Sequence, residues 1–66
     1  MVGILGGGQL ARMLALAGAP LGLRFRVVDS VADACAGQVA PLLLADYTDL
    51  AALAGFAREV EVATFD

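Results

Sequence analysis

Histidine and lysine do not occur in the 66 residues, cysteine occurs once, and charge is sparse: four arginines oppose seven acids, for a net charge of −3. Each shortage removes a class of function. Without histidine, Cys35 has no partner for a Cys/His catalytic pair or a mixed metal site, and a lone cysteine forms no intrachain disulfide. The plain expectation for it is a small buried hydrophobe. The arginines are scattered at positions 12, 24, 26 and 58, whereas a nucleic-acid surface needs clustered positive charge, so no nucleic-acid partner is expected. Long apolar runs are missing too. The longest, Met13 to Leu23, has 11 residues and contains Gly18, Pro20 and Gly22, against the roughly 20 that a membrane span requires. No basic residue precedes the first apolar stretch and glycines interrupt it, unlike a secretory leader. A cytoplasmic location with no membrane attachment is the default expectation.

What remains is strongly apolar. Hydrophobic residues make up 61% and charged residues 17%, a composition that excludes disorder. A chain near this length buries only about 60% of its unfolded surface and supports one small core. Residues 1–66 are therefore expected to be a single domain, or a piece of one. Either its strands are buried on both faces, or the domain docks against more protein.

Strand and helix patterns alternate along the chain. Val2 to Leu5 is short, apolar and bounded by glycine, as expected of a strand buried in a parallel sheet. From Gln9, the residues Leu10, Met13, Leu14 and Ala17 fall at i, i+3, i+4 and i+7, the stripe of an amphipathic helix that Gly18 and Pro20 stop. Phe25 to Val28 is β-branched and aromatic, a second strand ending at Asp29-Ser30. Ser30 and Asp33 have the spacing of a capping box for a short helical turn. Leu42 to Ala45, after Pro41, is a third strand. Thr48 or Asp49 can cap a helix with the stripe Leu50, Leu53, Ala54 and Ala57, ending near Arg58. Val60, Val62, Thr64 and Phe65 give a fourth strand. Strands alternating with helices imply right-handed crossovers and an α/β, Rossmann-like parallel sheet of about four strands with flanking helices.

The chemistry concentrates at Gly6-Gly7-Gly8, between the first strand and the first helix. A bare glycine backbone lets N–H groups approach an anion at a helix start, so the turn points to a phosphorylated ligand. Gly3 and Gly8 have the separation of G-x-x-x-x-G-K-[ST], but Gln9 and Leu10 stand where lysine and hydroxyl must be, which excludes that loop. Gly6-Gly7-Gly8-Gln9-Leu10-Ala11 does match G-x-G-x-x-G/A. Asp29, 18 positions beyond Ala11, stands near the place of a ribose-binding carboxylate, or is a turn residue. A dinucleotide-binding half-domain for NAD or FAD is thus one reading, and a non-catalytic interaction module is another.

The wording around the glycines is more specific. Gly3-Ile-Leu-Gly-Gly-Gly-Gln-Leu-Ala-Arg-Met-Leu14 resembles the opening of the 5-(carboxyamino)imidazole ribonucleotide synthase family, the ATP-grasp ligases of purine biosynthesis, which typically begin G-I-L-G-G-G-Q-L-G-R-M. The likeness continues through Asp29, Asp33-Ala34, Ala45-Asp46-Tyr47 and Asp49 to Thr64-Phe65-Asp66. It covers the chain but only the first part of such an enzyme. Ala11 replaces a usual glycine, Ser30 and Val31 replace a proline-containing turn, and Asp66 replaces a usual glutamate, one methylene longer.

The resemblance implies a pre-ATP-grasp domain, a fragment of a longer ligase that converts 5-aminoimidazole ribonucleotide, bicarbonate and ATP to the carboxyamino product, ADP and phosphate. ATP activates bicarbonate as carboxyphosphate, and the substrate amine takes up the carboxylate. ATP and magnesium would be bound outside this segment, the rest of the ligase is the implied partner, and the full-length enzyme is expected to be a homodimer. The ribonucleotide would meet Gly7, Gly8, Gln9 and Leu10, with Asp66 nearby. No catalytic and no metal-ligating residue is assigned within the segment. Arg12 either adds charge at the phosphate or is a solvated helix residue. Arg24, Arg26 and Tyr47 need no function beyond structure.

Overall fold

The apolar segment Val2–Leu5 forms β1, which lies inside the sheet with a parallel partner on each side. In the computed structural model, which describes residues 1–65, it is followed by α1 (Gln9–Gly18), β2 (Phe25–Asp29), β3 (Leu42–Leu44), α2 (Leu50–Arg58) and β4 (Val62–Phe65). Short 3-10 turns at Ala19–Leu21 and Cys35–Gln38 fill two of the connections. The sheet order is β3-β2-β1-β4, parallel throughout, which is the expected Rossmann-like arrangement. The β1-to-β2 crossover steps towards one edge and the β3-to-β4 crossover returns to the other. Right-handed connections therefore put α1 and α2 on opposite faces.

Side chains alternate between those faces along each strand. Ile4, Phe25 and Val27 meet Ala11, Ala15 and Ala36 in one buried cluster on the α1 side. Gly3 faces the α2 side. A Cβ there would stand 2.8 Å from Phe56 Cε2 and 2.9 Å from Val60 Cγ1, so the Phe56 ring rests on bare backbone.

Both helices turn a different stripe inward from the one their hydropathy suggests. In α1 the buried residues are Ala11, Ala15 and Gly18, whereas Leu10 is 67% and Met13 54% exposed. The reason is size. Small residues let the helix backbone settle close to the sheet, and a Cβ on Gly18 would stand only 2.4 Å from Phe25 Cζ. A leucine on that face would hold the helix away. In α2, Leu50 is exposed and Phe56 is the buried residue. At the edge strand β4, Val62 and Phe65 are exposed, so burial on both faces holds for β1 and the β2 core but not for the whole sheet.

The connections refine other expectations. Gly18 and Pro20 end α1, as their types require. The Ser30/Asp33 capping box does not form, and the turn at Cys35 has Ala34 at its N-cap without a side-chain acceptor. Asp29 Oδ1 instead accepts the Val31 N–H at 2.9 Å, bending the chain before a helical turn can begin at Ser30. Of the two possible caps for α2, Asp49 serves, its Oδ1 accepting the Ala52 N–H at 3.0 Å. Arg26 on β2 forms an ion pair with Glu59 just beyond α2, a structural role. Among the described residues, no helix is long and apolar enough to cross a membrane.

The Gly18–Phe25 contact supplies a test of this packing. Gly18→Ala is expected to destabilise the fold by about 1–3 kcal/mol through overpacking. In urea unfolding, Gly18→Ala combined with Phe25→Leu should cost less than the two single substitutions summed, because the shorter side chain vacates the contested space.

Candidate functional site

All four strands point their carboxyl ends to one edge of the sheet, so the connections gathered there come from β1 (Gly6 to Gly8), β2 (Ser30 to Ala34) and β3 (Ala45 to Asp49). The described part of β4 ends at Phe65, in register with Leu5, immediately beside the start of the glycine turn. Strand order reverses between β1 and β4, and open α/β sheets bind ligands at such a switch point.

The three glycines do three different jobs. Gly6 turns the chain with φ at +100°, a conformation that side chains oppose, while its N–H donates to Val28 O at 2.8 Å. Gly7 is buried and fully engaged. Its N–H donates to Asp29 Oδ2 at 2.7 Å, and its C=O accepts the Ala36 N–H at 2.9 Å. A Cβ at Gly7 would stand 3.1 Å from both Ala34 Cβ and Val27 Cγ1. Gly8 is the N-cap of α1, with no side-chain cap, and its C=O accepts the Arg12 N–H at 3.0 Å.

The open face of this turn is a set of donors. The first N–H groups of a helix have no intrahelical acceptor, and among the described residues those of Gly8, Gln9 and Leu10 have no other protein acceptor. The first turn of α1 itself contains no acid, and the carboxylate that reaches the turn, that of Asp29, is bound to the Gly7 N–H just before the helix. Gln9 and Leu10 are both exposed beside it. The arrangement can hold a single anionic group at the surface. A cavity of about 440 Å³ lined by Asp33, Ala34, Gly37, Leu42 and Leu44 includes no residue of the turn itself, although Ala34 packs against Gly7.

Neighbouring side chains fall into place differently from their sequence readings. Cys35 is half-buried rather than buried, with its Sγ 3.8 Å from Gly7 O and 3.6 Å from Gln9 Oε1. Asp29 is a turn residue of an unanticipated kind, because both of its oxygens already accept backbone N–H groups. Its contact with Gly7 spans 22 residues and leaves no local signature; only the coincidence of a strand-ending acid and a buried glycine hints at it. Arg12 is half-buried, and its Nε has no hydrogen-bond partner among the described residues. Tyr47 donates its hydroxyl to Val28 O at 3.3 Å. Asp66, expected beside the turn, lies outside the described residues. In the β3–α2 connection, hydrogen bonds from the Thr48 amide and hydroxyl hold the Asp46 carboxyl below its usual range, opposed by slight desolvation.

The family described as the ribonucleotide synthetase preATP-grasp domain matches residues 1–66. The chain is 49% identical over 65 residues to N5-carboxyaminoimidazole ribonucleotide synthase of Pseudomonas aeruginosa, covering 98% of this chain and 18% of that protein. The crystal structure of N5-carboxyaminoimidazole ribonucleotide synthetase from Thermus thermophilus superposes with a TM-score of 0.96 at 55% identity, over 100% of this chain and 18% of that one. An ADP complex of N5-carboxyaminoimidazole ribonucleotide synthetase superposes with a TM-score of 0.93 at 39% identity, over 98% of this chain and 18% of that one. The chain thus spans about a fifth of the length of the relatives it matches.

Two measurements probe the edge on which the site sits. Gly6→Ala should lower the unfolding free energy by about 1–2 kcal/mol, the cost of a Cβ in a left-handed conformation, in the same urea assay. Because the folded Asp46 carboxyl titrates below its unfolded value, its stabilisation of the Thr48 turn is complete above the unfolded value. It is lost as pH falls through the folded one. The Thr48 amide resonance should therefore move with an acidic midpoint below that of a free aspartate, and Asp46→Asn should abolish the movement.

Proposed function

The chain belongs to the ribonucleotide synthetase preATP-grasp domain family, and we propose that it serves as the ribonucleotide-binding domain of an ATP-dependent ligase that carboxylates 5-aminoimidazole ribonucleotide. The observation that carries this reading is the glycine turn of the family, set at the switch point of the sheet with the Gly8, Gln9 and Leu10 N–H groups open. A ribose phosphate suits that donor set and the positive end of α1. Gly7 would form the floor of the site, Gln9 and Leu10 its rim, and Asp66 would approach from the end of β4. The domain contributes by holding the ribonucleotide in place for the reaction.

The residues present do not fit a site for ATP and magnesium. The sequence contains no lysine, and among the described residues no three of His, Cys, Asp and Glu are grouped to hold a metal ion. Both therefore belong, in this reading, to the remainder of the ligase, where ATP supplies the phosphoryl group that activates bicarbonate. That remainder would also cover the exposed Leu10, Met13, Leu14 and Phe65, whose apolar surface is otherwise costly in water. A homodimeric ligase located in the cytoplasm completes the proposal.

A graft tests it. With these 66 residues replacing the matching segment of the Thermus thermophilus enzyme, ATP hydrolysis should depend on aminoimidazole ribonucleotide and bicarbonate. Response to NAD in place of the ribonucleotide would sink the proposal. Within the graft, Gln9→Glu should leave α1 as stable as before, since an acid in the first turn favours a helix. The same charge about 4 Å from a phosphate repels it by roughly 1–4 kcal/mol, so the KM for ribonucleotide should rise about fivefold or more while the KM for ATP stays unchanged.

A further inference from the structure

The Gly7 peptide is gripped from both sides: its N–H by Asp29 Oδ2 at 2.7 Å, its C=O by the Ala36 N–H at 2.9 Å. Asp29 is itself rigidly placed. It pairs with Leu44 in the sheet, its carbonyl accepts the Ala45 N–H at 3.0 Å, and its second carboxylate oxygen accepts the Val31 N–H at 2.9 Å. A side chain anchored at the end of β2 therefore decides which way the middle peptide of the glycine turn faces. With that N–H turned inward, the turn has no donor left at Gly7 for a ligand.

We infer that Asp29 is a positioning residue of the ribonucleotide site: by holding the Gly7 N–H inward, it restricts the anion cradle to the N–H groups of Gly8, Gln9 and Leu10. Three open donors at one helix start suit one phosphate. The Asp29 carboxylate is thereby tied to backbone at each oxygen, which fixes its orientation at the turn. Releasing Gly7 would free a backbone segment that must be ordered again whenever substrate binds. This assignment rests on the proposed function above.

Steady-state kinetics of the graft provide the test. Asp29→Asn keeps the shape, replaces one acceptor oxygen with an amide donor and removes a negative charge beside the turn. Loss of the grip on Gly7 should raise the KM for ribonucleotide about tenfold, in line with the loss of a hydrogen bond to a charged group, whereas an Asp29 that acted through its charge alone would give a lower KM. The KM for ATP and kcat should remain within twofold of the parent. Asp46→Asn serves as the comparison, because it removes an equivalent carboxylate-to-amide contact from the Thr48 turn and should alter neither KM. An Asp29→Asn enzyme with an unchanged or lowered ribonucleotide KM, or with a loss confined to kcat and melting temperature, overturns the positioning role. A parent graft that shows no ribonucleotide-dependent turnover overturns the functional reading and this inference together.

Discussion

The close approach of α1 to the β1–β2 pair is the constraint on which the rest depends. Ala11, Ala15 and Gly18 let the helix backbone come down until Gly18 lies against the Phe25 ring. At that distance the N-terminus of the helix is brought directly over the end of β1, and only a tight turn can connect the two. The glycines answer a geometric demand before they answer a chemical one. Leucines in the inward stripe would lift the helix, lengthen the connection and dissolve the donor set at its start.

That demand has an electrostatic consequence. A short turn into an uncapped helix leaves donors unsatisfied, and the chain neither caps them with a side chain nor places an acid in the first turn. Open N–H groups at a helix start suit an anion. At Gly7 every backbone group is satisfied internally by Asp29 and Ala36. The turn thus has a closed floor at Gly7 and open N–H groups at Gly8, Gln9 and Leu10.

The apolar surface follows from the same packing choice. Once small residues occupy the interface, the larger ones in α1 are turned outward, and Leu10, Met13 and Leu14 join Val62 and Phe65 among the exposed hydrophobics. A composition of 61% hydrophobic residues cannot be buried by two helices on four short strands. The relatives that share this fold are about five times longer, which leaves ample protein to pack against such faces.

Much of this was legible in the residues alone. Alternating strand and helix patterns, stop signals at Gly18 and Pro20, and the strand-ending acids implied the α/β order, because those signals act within a few residues of where they stand. The glycine turn was legible too, since only glycine serves both positive φ and close backbone approach. What the tertiary structure decided was everything that depends on distance across the fold. Which stripe of each helix faces inward was settled by how much room the sheet leaves, a matter of volume that hydropathy does not encode. Asp29 acquired its role from the end of a different strand, 22 residues from Gly7, and Cys35 came to rest beside Gln9 for the same reason. Sequence determined the elements and the glycine turn; packing determined which groups of that turn are engaged and which stay open, because that choice is made by contacts between residues far apart in the chain.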